Sequence, residues 1–249
     1  MFKKFLASIG IGKATVDTIL LDDRLTPGQD FRIEVVIKGG DVEQHINGIE
    51  LAVMASAKAE VEIEDDEVEV DKSLILQHWV QELDMVIQPG ETLSEQFTLT
   101  LHPELPTTSI GGRNTRVWLQ TGLDIKSGVD GSDKDVLVIE PTATQKAVLL
   151  AIENQGFSLF KADIEVGQVS GHNFHSSLPC YQEYEFKPDS TSFFGVKELE
   201  VTFVDTGEET GVLLELDRAF TGDGYKSVTI PNHCQSVADV EPYIRSLLS

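Results

Sequence analysis

The chain has 249 residues, of which 41% are hydrophobic, and its mean hydropathy of -0.08 is that of an ordinary globular protein. Its 42 acidic residues against 19 basic ones give a net charge of -23. A surface this acidic repels nucleic-acid phosphates, so we expect no nucleic-acid partner; the charge favours either solubility or a protein partner with a basic surface. No segment approaches the ~20 apolar residues of a membrane span, so we expect no stable membrane insertion.

The N-terminus carries an amphipathic pattern. Phe2, Phe5, Leu6 and Ile9 recur at the spacing of one helical face, which predicts a short N-terminal helix. The apolar run is too short and too interrupted for a secretory signal, so we expect a cytoplasmic protein. The helix is expected to dock on its own domain, and attachment of this short helix to a membrane surface is the alternative.

Apolar and polar residues alternate with a period of two from residue 14 to residue 140, which predicts β-strands. The predicted strands are Ala14–Leu20, Phe31–Ile37, Ile46–Ala57, Leu74–Gln81, Leu83–Ile87, Leu93–Leu101, Arg116–Leu123 and Val136–Ile139. Turn signals rich in Gly and Pro separate several of them. Many short strands with regular turns are typical of a β-sandwich.

The pattern breaks at Pro141, where Thr142 or Thr144 can cap a helix that closes at Gly156. We therefore predict an N-terminal β-sandwich over residues 1–140, a linker helix over 141–156, and a smaller β-sandwich-like domain over 157–249. The predicted strands of the last part are Phe157–Val166, Tyr181–Phe186, Leu199–Asp205, Val212–Leu216 and Val228–Ile230. A terminal helix from Val237 to Leu248, capped by Ser236, closes the chain.

The segment from Val117 to Ile139 reads as a strand, a turn-rich loop and a second strand. This segment resembles the bacterial sporulation-control protein family, whose members look like arrestins. Further segments that fit the family are Phe2–Leu20, Pro27–Gln29, Lys38–Gly40, Val86–Glu91 and Leu101–Thr107. The resemblance covers roughly residues 1–165 and is looser beyond them. It implies an all-β fold of two tandem arrestin-like β-sandwich domains, and a non-enzymatic adaptor or regulator that acts through protein–protein interaction in cell development or division.

Residues 60–71 alternate acidic and apolar side chains around a turn at Asp65-Asp66, which predicts a protruding β-hairpin with one valine-rich and one acidic face. The candidate partner-binding residues are Glu60, Glu62, Glu64, Asp65, Asp66, Glu67, Glu69 and Asp71. Like charges directly opposite one another destabilise a hairpin, so the acidic side of this hairpin needs an explanation. Protection of a sheet edge against aggregation and a loose divalent-cation site are the alternatives to docking.

A second candidate cluster lies close to the predicted domain boundary. Arrestins carry a buried polar cluster between their domains, and the resemblance implies such a cluster here. The residues assigned to it are Arg116, Asp124, Asp130, Asp133 and Asp135. The aspartates fail the spacing of an EF-hand, so we predict a turn and no calcium site.

The rest of the sequence offers little chemistry. It contains no nucleophile elbow, Walker motif or dinucleotide-binding motif, so we expect no catalytic residues and no cofactor. His172, His175 and Cys180 invite a zinc test, but we expect a loop and no metal. Cys180 and Cys234 are expected to be buried thiols, with a disulfide between them left open. A ligand-binding or hydrolytic protein that uses the inter-domain cleft is the alternative function. A self-assembling structural protein joined through its edge strands is a third possibility, and a homodimer remains open.

Overall fold

The computed structural model describes residues 12–63, 66–110, 115–125, 131–190, 196–218 and 224–248. Almost all regular structure in these ranges is β-strand, and two helices accompany it. The strands are β1 Thr15–Leu20, β2 Asp30–Lys38, β3 Gln44–Ile63, β4 Asp66–Ile87, β5 Thr92–Thr100, β6 Arg116–Ile125, β7 Ser132–Val136, β8 Phe157–Val166, β9 Ser170–Gly171, β10 Phe174–His175, β11 Cys180–Pro188, β12 Val196–Asp205, β13 Glu209–Arg218 and β14 Gly224–Pro231. The helices are α1 Ala143–Glu153 and α2 Val237–Leu248.

One sheet of nine strands runs through both halves of the chain. Its order is β14-β13-β12-β11-β8-β3-β6-β7, and β4 pairs with β3 in addition. Its neighbouring strands are antiparallel except β3 and β8, which meet in parallel where Lys58 pairs with Glu165. The sheet of the N-terminal half and that of the C-terminal half are therefore continuous.

The N-terminal half is a two-layer sandwich. The three-stranded sheet β1-β2-β5 covers one face of the strands β7, β6, β3 and β4. Strand β2 alternates buried Phe31, Ile33, Val35 and Ile37 with polar residues, because only one of its faces meets the core. The other layer contributes every second residue of β3, including the fully buried Val53.

In the C-terminal half, the same face of the large sheet is covered by α1 and α2. Helix α1 begins with a reciprocal cap: the Thr142 hydroxyl accepts from the Gln145 backbone N–H at 3.2 Å, and the Gln145 side chain accepts from the Thr142 backbone N–H at 2.9 Å. Helix α2 begins after Ser236, whose hydroxyl accepts from the Asp239 backbone N–H at 3.3 Å. Both helices are found where the Thr, Ser, Pro and Gly signals predict them.

The opposite face of the C-terminal strands carries one small covering element, the two-stranded hairpin β9–β10. The ring of Phe174 lies directly on Gly211 of β13, where a Cβ atom would come within 2.5 Å of the ring. Gly211 therefore permits a close approach that no other residue allows. The remainder of this face, from β8 to β14, is left without a second layer among the described residues.

The all-β prediction is confirmed, but two predicted boundaries are wrong. The turn predicted at Asp133 and Asp135 is strand β7, and the strand predicted over Val136–Ile139 does not continue beyond Val136. We predicted two strands, Leu74–Gln81 and Leu83–Ile87, but they belong to the single strand β4. The alternation of side chains fails near Glu82 because the pairing shifts there: Ile46 pairs with Met85 and Gly48 with Glu82. Asp84 adopts a φ of 46° within this irregularity. The break in the pattern is thus a β-bulge inside a strand.

The predicted N-terminal helix lies outside the described residues. Within the ranges described, neither helix has the length and apolar character needed to cross a membrane.

Candidate functional site

The most highly charged part of the interior is the junction of β3 with β8. The Lys58 side chain lies on the side of β3 away from the N-terminal core, because the preceding residue, Ala57, packs into that core. Asp163 lies on the same side of β8, directly opposite Glu183 of β11. The parallel pairing of Lys58 with Glu165 brings these side chains together.

Five side chains of alternating charge connect four strands at this point, and we call them the junction network. They are Glu69, Lys58, Asp163, Lys161 and Glu185. The Lys58 ammonium lies 3.2 Å from Glu69 and 3.1 Å from Asp163, and the Lys161 ammonium lies 2.9 Å from Asp163 and 2.5 Å from Glu185. Two cations thus hold three carboxylates across β4, β3, β8 and β11.

Asp163 is the centre of the network. Its side chain is 2% exposed, and its Oδ2 accepts hydrogen bonds from both lysines. Burial acts to raise the pKa of Asp163, but the hydrogen bonds from Lys161 and Lys58 outweigh it and hold the pKa below its usual value. Its second oxygen, Oδ1, is buried and has no hydrogen-bond partner. An unsatisfied buried oxygen of this kind is uncommon in a folded protein.

Beyond the junction, the uncovered side of the C-terminal strands is rich in carboxylates, and we call it the acidic face. Its residues are Glu165, Glu183, Glu185, Glu198, Glu200 and Glu215. Cross-strand pairing sets Lys161 opposite Glu185, Glu185 opposite Glu200, and Glu200 opposite Glu215. Three carboxylates therefore stand side by side on consecutive strands, an arrangement that costs folding free energy.

Three carboxylates of the acidic face, Glu165, Glu183 and Glu200, have pKa values well above the usual value of glutamate. Burial, followed by repulsion from Glu200 and other carboxylates, raises the pKa of Glu183 to about 8. Burial and then the neighbouring Glu215 raise the pKa of Glu200 to about 7. Burial also raises the pKa of Glu165 to about 7, against the attraction of Lys58. Part of this face is therefore protonated near neutral pH.

A groove of about 530 Å³ lies between the acidic face and the β3–β4 hairpin. Its acidic lining residues are Glu60, Glu69, Glu165 and Glu183, and Lys58 and Lys72 are its basic ones. A second cavity of about 280 Å³ lies between the two halves, beside Thr26 and Asn232. Asp205 is the titratable residue in that cavity's lining, and its carboxylate already accepts from Gly207 and Asn232.

The predicted acidic hairpin is present as the end of β3 and the start of β4. Glu60 pairs with Glu69 and Glu62 with Glu67, so acidic residues stand opposite one another. The valines Val61, Val68 and Val70 occupy the alternate positions. Glu69 contacts Lys58, and Asp71 lies 3.4 Å from Arg116, so cations offset part of the repulsion.

Four residues of the predicted acidic hairpin have no described side chain. Glu64 and Asp65 lie outside the described residues, and Asp66 and Glu67 are described by their backbone alone.

The residues predicted as an inter-domain cluster are not brought together between the halves. Arg116 and Asp124 lie near opposite ends of β6, about 26 Å apart along the strand, and both are exposed. Asp133 and Asp135 lie inside the N-terminal half, where Asp133 accepts from the Thr18 backbone N–H at 2.7 Å. Asp130 lies outside the described residues. The junction network instead brings charged side chains of the two halves into contact.

Asp135 is nevertheless unusual. Burial and then repulsion from Asp133 raise its pKa to about 6, and its Oδ2 is buried without a hydrogen-bond partner. Asp133 and Asp135 lie in the N-terminal half, where β7 contacts β1.

The HxxH loop forms the β9–β10 hairpin, with Asn173 at a φ of 68° in its turn. His175 bonds Ser170 at 2.6 Å, and both histidines are exposed, whereas Cys180 is buried at the start of β11. Among the described residues, no three His, Cys, Asp or Glu side chains are arranged to hold a metal ion. Cys180 and Cys234 are free thiols in different hydrophobic cores.

Sequence reasoning missed Lys58, Lys161, Asp163 and Glu185. A signal was present, because β8 and β11 place charged residues at every second position of strands that are otherwise apolar. That alternation predicts a charged face on each strand. It does not reveal which strands are neighbours, and the network exists only because β3 and β8 pair.

Comparison with known proteins gives consistent matches across the chain. The family model described as SpoOM protein matches residues 2–220. The sporulation-control protein Spo0M of Bacillus subtilis is 37% identical over 222 residues, which cover 89% of this chain and 82% of that protein. The crystal structure of Spo0M from Bacillus subtilis matches with a TM-score of 0.80 and 30% identity, covering 96% of this chain and 98% of that one.

The protonation of the acidic face predicts how stability depends on pH. Unfolded glutamates release their protons near pH 4.3, whereas Glu200 and Glu183 retain theirs in the folded state up to about pH 7 to 8. Between these values the folded state binds more protons, so these groups lower the free energy of unfolding as the pH rises. We expect Glu200→Gln to stabilise the protein by about 0.5 to 1 kcal/mol at about pH 8 and by less at about pH 5.5.

Urea unfolding at the two pH values measures this effect. The exposed Glu95→Gln is the matched control and should change little at either pH. Equal effects of Glu200→Gln at both pH values would show that its carboxyl does not titrate in this range.

Proposed function

The chain belongs to the SpoOM protein family, and from that membership we propose that it is a regulator of sporulation that binds protein partners and performs no chemistry itself. The observation that carries the proposal is the 37% identity to Spo0M of Bacillus subtilis over most of both chains. The match to the Spo0M structure over 96% of this chain supports the same conclusion.

The charge distribution supports an adaptor. The acidic hairpin presents Glu60 and Glu62 as exposed carboxylates, with no Lys or Arg paired to them among the residues described. An extended acidic arm raises the rate at which basic partners are captured, because long-range attraction steers their approach. We therefore propose that the partner is a protein with a basic surface, and that it binds this chain in the cytoplasm.

The alternative of a ligand-binding or hydrolytic protein finds less support in the geometry. The cavity between the halves is lined by neutral polar groups and by Asp205, which is occupied in local hydrogen bonds. A hydrolytic site needs a nucleophile or activated water beside a base, and such a pair is not assembled in this lining.

The adaptor proposal predicts a charge-dependent partner. When the wild-type protein is used to capture proteins from a lysate of its host, we expect a basic partner to be retained at low salt and released at high salt, because salt screens exposed charges. The variant Glu60→Lys/Glu62→Lys should lose most of this capture while remaining folded, since both side chains are exposed.

The control for this capture is Glu95→Lys/Glu153→Lys, which changes the net charge equally at exposed positions outside the hairpin. We expect it to retain the partner. Equal loss in both variants would mean that overall charge, and not the hairpin, holds the partner.

The regulatory proposal predicts that this chain can replace Spo0M in Bacillus subtilis. In Bacillus subtilis lacking its own Spo0M, expression of this chain should return the frequency of heat-resistant spores to that of the parent strain, because the two proteins share their fold and 37% of their residues over most of both chains. Immunoblotting confirms that the chain is expressed. A frequency that stays at the level of the deletion strain would contradict a shared role.

A further inference from the structure

The N-terminal sandwich is closed along one side and open along the other. On the closed side, β1 contacts β7, and the Thr18 backbone N–H donates to Asp133 at 2.7 Å. On the open side, β4 pairs only with β3, and β5 only with β2, among the described strands. These two edges meet where the Gln77 side chain donates to the Thr100 carbonyl at 2.9 Å. Free edges are usually protected, because they invite pairing with another chain.

Apolar side chains line the gap between β4 and β5, and we call them the edge strip. They pack against the N-terminal core but remain partly exposed, whereas the apolar residues of the inner strand β2 are buried. Covering the edge strip would stabilise the fold, because burial of apolar surface is favourable. Its residues are Leu74, Trp79, Leu83 and Met85 on β4, and Leu93, Phe97 and Leu99 on β5.

The first described residue, Gly12, lies at one end of the edge strip. Its carbonyl accepts from the Asp41 backbone N–H at 2.9 Å, and the adjacent Gly40 carbonyl accepts from the Gly90 N–H at 3.2 Å. Gly90 belongs to the turn that joins β4 to β5. Gly12 has a φ of 67°, the left-handed conformation that commonly follows the end of a helix. Residues 1–11, which lie outside the described residues, therefore join the sandwich beside the strip.

The amphipathic face predicted near the N-terminus matches the edge strip in length. A helix rises 1.5 Å per residue, so the distance from Phe2 to Ile9 is about 10 Å. The distance from Leu93 to Phe97 along β5 is about 13 Å. The two residues between Ile9 and Gly12 can extend by about 7 Å, which exceeds the spacing of about 5 Å between neighbouring strands. The segment can therefore reach the strip.

Charge favours this segment over a second copy of the chain. Glu95 is exposed and lies between Leu93 and Phe97, on the side of β5 that faces the strip. A charge that points inward on an edge strand opposes pairing with another edge. A second copy would bring the same carboxylate and a net charge of -23, whereas the N-terminal segment brings Lys3 and Lys4.

We propose that residues 2–9 pack as a helix on the edge strip of their own chain, with Lys3 beside Glu95. The apolar face that enters the strip consists of Phe2, Phe5, Leu6 and Ile9. Packed there, the segment completes the N-terminal core and keeps the edges of β4 and β5 from pairing with a second copy. This inference is independent of the proposed regulatory function, because it involves neither the acidic hairpin nor a partner.

Trp79 reports whether the edge strip is covered. The chain has two tryptophans, and the other, Trp118, lies on β6, two strands away from β4. Trp118→Phe therefore leaves Trp79 as the single indole. In this full-length background, Phe5→Ser/Leu6→Ser should shift the Trp79 emission to longer wavelength and increase its quenching by acrylamide, because the indole then meets water.

The matched control for this measurement is Lys4→Ser/Ala7→Ser. It also introduces two serines, but on the opposite face of the predicted helix, so we expect the emission and the quenching to stay unchanged. Circular dichroism verifies that both variants are folded.

A disulfide distinguishes packing within one chain from packing on a second copy. Oxidation of Ile9→Cys/Leu93→Cys should link the two positions, because a disulfide requires Cβ atoms within about 4.5 Å. Ile9→Cys/Val136→Cys should link poorly, since Val136 is 70% exposed on β7, at the opposite side of the sandwich. The native Cys180 and Cys234 are buried. Mixing unlabelled and isotope-labelled chains before oxidation shows whether the linked peptides come from one chain or from two.

Three results would overturn the inference. Unchanged Trp79 emission in Phe5→Ser/Leu6→Ser would mean that the segment does not cover the edge strip. Equal linking of Ile9→Cys to Leu93→Cys and to Val136→Cys would mean that the segment has no fixed place on the sandwich. Linked peptides of mixed isotope would place the segment of a second copy on the strip. The disulfide test retains Phe5 and Leu6, so it decides the matter even if the serine variant fails to fold.

Discussion

The two lysines that hold Asp163 determine how the halves of this protein share one sheet. Strand β3 extends beyond β6, and its far end meets β8 through the pairing of Lys58 with Glu165. At that point Asp163 is buried and needs compensation for its charge, which Lys58 and Lys161 provide. Hydrogen bonds between Thr107 and both Gln182 and Tyr184 add a neutral contact between the halves. The sheet is continuous because this junction forms.

That continuity explains the distribution of charge. One side of the large sheet is covered by the β1-β2-β5 sheet in the N-terminal half and by the two helices in the C-terminal half. The other side therefore collects the polar residues of both halves, including the acidic hairpin and the acidic face. The proposed attraction of basic partners at the hairpin follows from this single exposed side.

Much of the fold could be predicted from local patterns. The cap at Thr142, the stop at Gly156 and the alternation in β2 each depend on residues close in sequence, and each prediction agrees with the structure. The bulge near Asp84 and the junction network could not be predicted, because each depends on which strands pair. Charged residues at alternate positions of β8 identify a charged face, but only the pairing with β3 shows that Lys58 balances Asp163. The inter-domain cluster was placed by analogy of position, and the distance between Arg116 and Asp124 along β6 separates its members.

The most direct test of the junction network is the free energy of unfolding of Asp163→Ala, measured by urea denaturation at neutral pH. Removing the buried carboxylate leaves Lys58 with Glu69 and Lys161 with Glu185 as their remaining partners, so we predict a loss of about 3 kcal/mol. The control is Glu241→Gln, which removes an exposed ion pair with Arg245 and should cost at most about 0.5 kcal/mol. A loss for Asp163→Ala no larger than that of the control would contradict the central role of the junction network.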